Sequence, residues 1–187
     1  MVMDRIIGAF TFRRGVYSEV EGDTSFTATA WILVIVIGFL NQLGSRASDN
    51  LVNWLVGAVV GTIFVVIGFA LAAVVISAVG RALFNAEVTF DELVRTLGLA
   101  YVWQIVGVIG VVAGFSDTLA CVVAPALIIA AILGLIAWFV AAKEALDLDW
   151  VQTIVTVILG WIALMVVTFV GALIIGLFTG GVSAVFG

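Results

Sequence analysis

Residues Leu51–Gly80 read LVNWLVGAVVGTIFVVIGFALAAVVISAVG and carry no acidic or basic side chain. An uncharged apolar run of about 18 residues or more is typical of a helix that spans a lipid bilayer. Two helices of about 15 residues each would be too short for a hydrocarbon core about 30 Å thick, so the run predicts one long, tilted span. This stretch indicates a membrane protein.

The rest of the chain has the same character. Of the 187 residues, 65% are hydrophobic and 10% are charged. Cutting the chain at charged and turn residues predicts five spans, at residues 24–43, 54–79, 90–113, 118–142 and 151–178. The predicted fold is therefore an all-α polytopic membrane protein, in which residues 1–23 form a juxtamembrane segment and residues 24–187 form a bundle of five transmembrane helices. Short connections favour antiparallel neighbours.

Capping residues mark the ends of several helices. In VTFDEL, Thr89 and Glu92 have the spacing of a capping box and predict the start of the third span. Gly22 is typical of a helix end, and Asp23 is predicted to cap the first span. Before them, apolar side chains recur at about helical spacing with two arginines between, which predicts one short interfacial helix containing Ile6, Ile7, Phe10, Arg13, Arg14 and Tyr17.

The Lys and Arg residues predict the orientation, because cytoplasmic loops carry an excess of these residues. With five spans, Arg46 lies on one side of the membrane and the other basic residues lie opposite, namely Arg5, Arg13, Arg14, Arg81, Arg95 and Lys143. The N-terminus is therefore predicted to be cytoplasmic and the C-terminus external. We expect no cleaved signal peptide, since no A-x-A site follows a short apolar run.

Few residues in the chain are suited to catalysis. The sequence has no histidine, which removes Ser-His and Cys-His pairs and the commonest zinc ligand. All Asp and Glu residues fall at predicted span ends or in loops, whereas an intramembrane aspartyl protease needs two carboxylates inside the bilayer. Cys121 is the only cysteine, so no internal disulfide forms. We predict no enzyme activity, cofactor or metal site, and no nucleic-acid partner.

Gln104 is the strongest candidate for a polar site inside the membrane, with Tyr101 beside it near the middle of the third span. Two interpretations are open: Gln104 contacts a solute in a pore, or it makes a hydrogen bond between helices. Arg95, about a turn and a half inside the same span, is interpreted as an interface anchor that snorkels or pairs with Asp91.

Small residues recur four positions apart, for example at Gly57 and Gly61 and at Ala172 and Gly176. This spacing lets two helices pack closely, either inside the bundle or between two copies of the chain in a homo-oligomer. Leucine at Gly61 or Gly176 is therefore expected to weaken packing. Gly15, outside the spans, is expected to tolerate substitution better.

Acidic residues concentrate on the predicted cytoplasmic side. Helix capping and pairing with nearby basic residues account for several of them, and the remainder form a candidate partner-binding rim of Glu19, Glu21, Glu87 and Asp147. Such a rim could recruit a basic partner segment or a divalent cation. The alternative is a solvated polar surface that keeps the loops out of the bilayer.

Three segments resemble prokaryotic members of the Yip (Ypt/Rab-interacting protein) family. They are VYSEVEGDTSFTATAW (residues 16–31), GRALFNAEVTFDELVRTLGLAYV (residues 80–102) and AAKEALDLDWVQTIVTVILGW (residues 141–161). The resemblance implies five transmembrane helices with a cytosolic N-terminus, in a prokaryotic cytoplasmic membrane. Eukaryotic members bind prenylated Rab GTPases, but the DLYGP-type motif is absent here, so the resemblance does not carry Rab binding to this chain.

Two functions compete on this evidence. The first is a non-enzymatic membrane scaffold or adaptor that organises lipids, a cytosolic or membrane protein, or a second copy of itself. The second is a small channel or transporter with a polar lining around Gln104. A continuous polar cavity at the depth of Gln104 favours transport, whereas a dry core there favours the scaffold.

Overall fold

A computed structural model describes residues 2–47 and 50–186, so Met1, Ser48, Asp49 and Gly187, the last residue of the predicted domain, lie outside the described residues. The described residues form α1 (Val2–Phe10), α2 (Val16–Glu21), α3 (Phe26–Ser45), α4 (Leu51–Phe84), α5 (Phe90–Ala100), a 3-10 helix (Tyr101–Ile109), α6 (Gly110–Ala113), α7 (Asp117–Leu146) and α8 (Trp150–Phe186). The three consecutive elements from Phe90 to Ala113 form one continuous span, called the third span here.

Five of the described helices are long and apolar enough to cross a membrane, which confirms the all-α five-span prediction. The uncharged run lies in a single helix, Leu51–Phe84, and is not split. This helix is longer than the predicted 54–79, because Asn50 caps its start by accepting the N–H of Asn53 and Arg81 lies in its last turn. The third span has the predicted bounds.

The helices pack around the third span and α4. α8 packs along α4, while α3 packs against α4 and the third span, whose other face contacts α7. We call the end of the bundle that carries α1 and α2 the near side, and the end that carries the loops after α3 and α6 the far side. The apolar core lies toward the near side and includes the fully buried Phe69, Ile76, Leu93 and Leu97.

The capping box at the start of the third span is confirmed. Thr89 Oγ1 accepts the Glu92 N–H at 3.3 Å, and Glu92 Oε2 accepts the Thr89 N–H at 2.7 Å. The predicted cap of the first span was two residues too early. Ser25, and not Asp23, directly precedes the first residue of this helix. The Asp23 carboxylate accepts the Ser25 N–H at 3.1 Å and pairs with Arg5 at 2.7 Å.

The N-terminal segment forms two short helices where one was predicted. The chain turns between them through Phe12 and Gly15, which have positive φ angles of 51° and 77°. A side chain at Gly15 would be strained in this left-handed conformation, so the expectation that Gly15 tolerates substitution was wrong. α1 also reaches into the bundle, where the rings of Phe10 and Trp103 lie 5.0 Å apart.

The predicted weakening of packing by leucine at Gly61 or Gly176 stays a prediction, and the surroundings of the two glycines differ. A Cβ at Gly61 would lie 2.9 Å from the side-chain carbon Cδ of Gln42 on α3, so Gly61 permits a close helix contact. A Cβ at Gly176 would meet no atom within 4 Å among those the structure describes, so no close helix contact is seen at this glycine in the described part of the chain.

Candidate functional site

Two adjoining cavities, which we call together the amide cleft, lie between α3, the third span and α7, and the smaller one also borders α4 and α8. Their volumes are about 450 and about 360 Å³, and both are lined by Asn41, Ser45, Gln104 and Ala131. The larger cavity reaches the far side, where Ala47, Ala113 and Gly114 line it. The smaller one extends to Tyr101 and Trp138.

Gln104 lies at the junction of the two cavities and is bonded to α3. Asn41 Nδ2 donates to the backbone carbonyl of Gln104 at 2.9 Å and to its side-chain Oε1 at 3.3 Å. Within the described part of the chain, no hydrogen bond joins Gln104 Nε2 to an acceptor or Asn41 Oδ1 to a donor, and both residues line the cleft. The pair therefore offers one amide donor and one amide acceptor to whatever occupies the cleft.

The backbone geometry of the third span explains how Asn41 reaches a main-chain carbonyl. In a 3-10 helix, residues three apart lie on one line. Residues Tyr101, Gln104, Gly107 and Gly110 have this spacing. A Cβ at Gly110 would lie 2.9 Å from the carbonyl oxygen of Gly44, and a Cβ at Gly44 would lie 2.8 Å from the carbonyl carbon of Gly107. The glycines therefore allow the two backbones to touch.

Sequence reasoning identified Gln104 and Tyr101 but missed Asn41, Gly44 and Gly107. Small residues were searched for at spacings of four, which suit α-helices, whereas the contact uses a spacing of three. The glycines at 107 and 110, with Gln104 three residues earlier, are a signal that could have indicated it. Asn41 lies near the end of the predicted first span, where water can solvate a polar side chain, so its position alone does not indicate a contact.

The cleft has a mostly apolar lining with a few polar side chains, and it is uncharged among its described lining residues. The residues that line its two cavities include Asn41, Gln42, Ser45 and Gln104, and none of these described lining residues is acidic or basic. Arg46 lies next to the smaller cavity and donates from Nε to Oε1 of Gln42 at 2.7 Å. Burial lowers the pKa of the Arg46 guanidinium from its ordinary value, which places a poorly solvated positive charge beside the cleft.

Aromatic rings close the cleft toward the near side. The ring of Phe69 lies 6.0 Å from that of Tyr101, 6.0 Å from that of Trp138 and 5.6 Å from that of Trp31. Phe69 is fully buried, and the buried leucines of α5 lie beyond it. Tyr101 is therefore part of the aromatic floor that separates the cleft from the near-side core.

Arg95 does not line the cleft. Its Nε donates to the carbonyl oxygens of Val20 at 3.0 Å and Glu21 at 2.9 Å, and its NH1 donates to Thr27 Oγ1 at 3.2 Å. The expected pairing with Asp91 was wrong, because the side chain turns toward the last carbonyls of α2 instead. Arg95 fastens α2 to the first and third spans while remaining buried.

The structure brings only part of the predicted acidic rim together. Burial raises the pKa of Glu21, and the neighbouring carboxylates of Asp147, Glu92 and Glu144 raise it further, in that order. Glu19 points elsewhere and pairs with Arg13 at 2.9 Å, and Glu87 is exposed. Among the residues searched within the described ranges, no group of three or more His, Cys, Asp or Glu could hold a metal ion.

Comparison with known proteins adds no relative to this picture. No family model, curated protein or solved structure matches the chain. The resemblance to the Yip family stays a prediction.

Proposed function

We propose that the protein moves a small polar solute across the membrane through the amide cleft. The observation that carries the proposal is the amide donor of Gln104 and the amide acceptor of Asn41, which face a cavity within the span region without protein partners among the described residues. Polar groups inside a bilayer are usually satisfied by neighbouring helices or line a functional path. The cavity volume of about 450 Å³ is in the range of small-molecule sites.

The proposed transporter is in a closed state. The cleft reaches the far side, whereas the aromatic floor around Phe69 blocks it toward the near side. Passage requires this floor to move relative to the cleft. The 3-10 stretch starts at Tyr101, in the floor itself, and is the natural hinge, since long 3-10 runs inside helices are uncommon and often mark movable positions.

Water access to the cleft tests this proposal directly. In a Cys121→Ala background, we expect Ala131→Cys, which lines both cavities, to react with a membrane-impermeant thiosulfonate. Ile128→Cys is the matched control, because Ile128 is 60% exposed on the same helix and does not line the cleft. Equal, slow reaction of both cysteines would mean that the cleft is dry and would contradict transport.

We further propose that the far side is external and the near side cytoplasmic, in a prokaryotic cytoplasmic membrane. The excess of basic residues at the near-side ends of the spans supports this orientation. Single cysteines at Ser45 and Asn85, again without Cys121, distinguish the two sides. An impermeant maleimide added outside cells should label Ser45→Cys alone, and labelling of both positions would overturn the assignment.

A non-enzymatic scaffold is the second candidate, and the convergence of Glu21 with Asp147, Glu92 and Glu144 favours it. These carboxylates offer a negative surface to a basic protein segment on the near side. Neutralising Glu19, Glu21, Glu87 and Asp147 together should weaken recovery of near-side partners, most strongly at low salt. Recovery of the same partners at every salt concentration would leave the rim as a solvated surface.

A further inference from the structure

The geometry of the cleft points to the class of solute: an uncharged molecule that carries both a hydrogen-bond donor and an acceptor, such as a small polyol or amide. This inference rests on the proposed transport function and specifies its substrate. It is carried by the two unpaired amide groups, by the uncharged lining and by the position of Arg46.

The hydrogen-bonding groups select for a neutral molecule. Gln104 Nε2 requires an acceptor and Asn41 Oδ1 requires a donor, while the hydrogen bond that joins the two side chains fixes both of them in place. A hydroxyl or carboxamide group supplies both partners. A metal cation satisfies only the carbonyl, and a simple anion satisfies only the N–H and is repelled by the carbonyl oxygen.

The electrostatics of the cleft select against ions. An ion that leaves water needs a counter-charge or several oriented dipoles, and none of the described lining residues is ionised. Arg46 donates a hydrogen bond to Gln42, which lines the smaller cavity. Its positive charge raises the electrostatic energy of a cation in that cavity. Because its Nε is bonded to Gln42 and it does not itself line either cavity, it gives an anion no direct partner in the cleft.

Proteoliposomes with a panel of solutes test the inference. Purified protein is reconstituted, and stopped-flow light scattering measures glycerol and urea entry while a potential-sensitive dye reports potassium and nitrate flux. We expect glycerol or urea to enter about tenfold faster than in protein-free vesicles, with neither ion above background. Potassium or nitrate flux that matches or exceeds that of the neutral solutes would overturn the inference but leave transport intact. If none of the four solutes crosses, the proposed function itself fails.

Substitutions in the cleft separate a role in transport from a role in folding. Gln104→Leu removes the donor and should slow glycerol entry about tenfold, the equivalent of one lost hydrogen bond. Gln104→Asn keeps an amide and should retain more of the glycerol rate than Gln104→Leu. If Gln104 had only a structural role, two variants with the same melting temperature would have the same rate. Arg46→Gln should admit potassium. Ile128→Leu, on the lipid-facing surface, should behave as wild type.

A glycerol rate that stays unchanged in folded Gln104→Leu would place the path outside the amide cleft and overturn the inference. Loss of glycerol entry in Gln104→Leu with partial retention in Gln104→Asn would support it.

Discussion

The two halves of the third span belong to one helix but have opposite properties. In the near-side half, each residue from Leu93 to Ala100 is buried, the helix starts with a complete capping box, and Arg95 fastens it to α2. In the 3-10 half, only Tyr101 and Val102 are buried, and the helix borders two cavities. The near-side half is therefore the part of this span that packs the bundle, and the other half is the part that borders the amide cleft, the path of the proposed transport.

Local stability usually follows buried contacts, and binding sites occupy the less stable regions of a protein. The near-side half should therefore respond to substitution mainly through the stability of the fold, and the 3-10 half mainly through transport. Four variants test this division.

Arg95→Leu should have the largest effect on stability. It leaves the carbonyl groups of Val20 and Glu21 without their donor in a buried place, which we expect to cost about 3 kcal/mol. The measurement is the thermal unfolding of the purified protein in detergent. Arg81→Leu is the control, because Arg81 is exposed and its hydrogen bonds to described residues stay within its own helix, at Ser77. Equal melting temperatures for both variants would show that α2 needs no fastening.

Gly44→Val should lower stability by about 2 kcal/mol, because its side chain would enter the backbone of Gly107. It should also slow glycerol entry more than its effect on stability explains, since the contact positions Asn41 against Gln104. Gly176→Val is the matched control in α8, where a Cβ meets no described atom within 4 Å. If Gly176→Val alone changes the oligomeric size in detergent, that glycine lies between copies of the chain.

The same division explains how far the sequence could predict the structure. The five spans and the capping box follow from local patterns, namely hydropathy over about 20 residues and the spacing of Thr89 and Glu92. The cleft depends on a long-range contact between Asn41 and the main-chain carbonyl of Gln104, in the 3-10 part of the third span. The spacing of Gln104, Gly107 and Gly110 is a local signal of a contact face, but it does not show that Asn41 of another helix lies opposite.

The orientation of Arg95 was unpredictable for a related reason. Its sequence neighbours include Asp91 at the spacing of a helix salt bridge, and that pairing was expected. The preferred partners are main-chain carbonyls of α2, which come close only after the N-terminal segment has folded back. Burial of α2 residues such as Val16 and Val20 holds these carbonyls in reach.

Thr89→Ala should have a moderate effect confined to stability. Loss of the side-chain cap leaves the Glu92 N–H without its acceptor, which we expect to cost about 1 kcal/mol. Thr89→Ser keeps the hydroxyl and should restore most of the loss. Glycerol entry per folded molecule should be the same in all three proteins. A transport defect in Thr89→Ala at unchanged stability would contradict the division of the third span.

Glu21→Gln should have the smallest effect and the opposite sign, a slight stabilisation near neutral pH. Burial and the carboxylates of Asp147, Glu92 and Glu144 raise the pKa of Glu21 in the folded state. Between the ordinary glutamate pKa of about 4.3 and the raised value, the folded protein binds more protons than the unfolded chain. Stability must therefore fall as the pH rises through this window, and Glu21→Gln should remove that part of the slope in melting temperature between pH 4.5 and 7. Glu87→Gln makes the same change of charge at an exposed near-side position and is the matched control. Hydrogen bonds from Ser25 and Arg5 lower the pKa of Asp23. The stabilising contribution of Asp23 is therefore lost only as the pH falls below about 4, outside the measured range.

A slope unchanged by Glu21→Gln would mean that α2 and the loop at Asp147 separate in solution. The near-side end of the bundle would then be less rigid than its buried core implies.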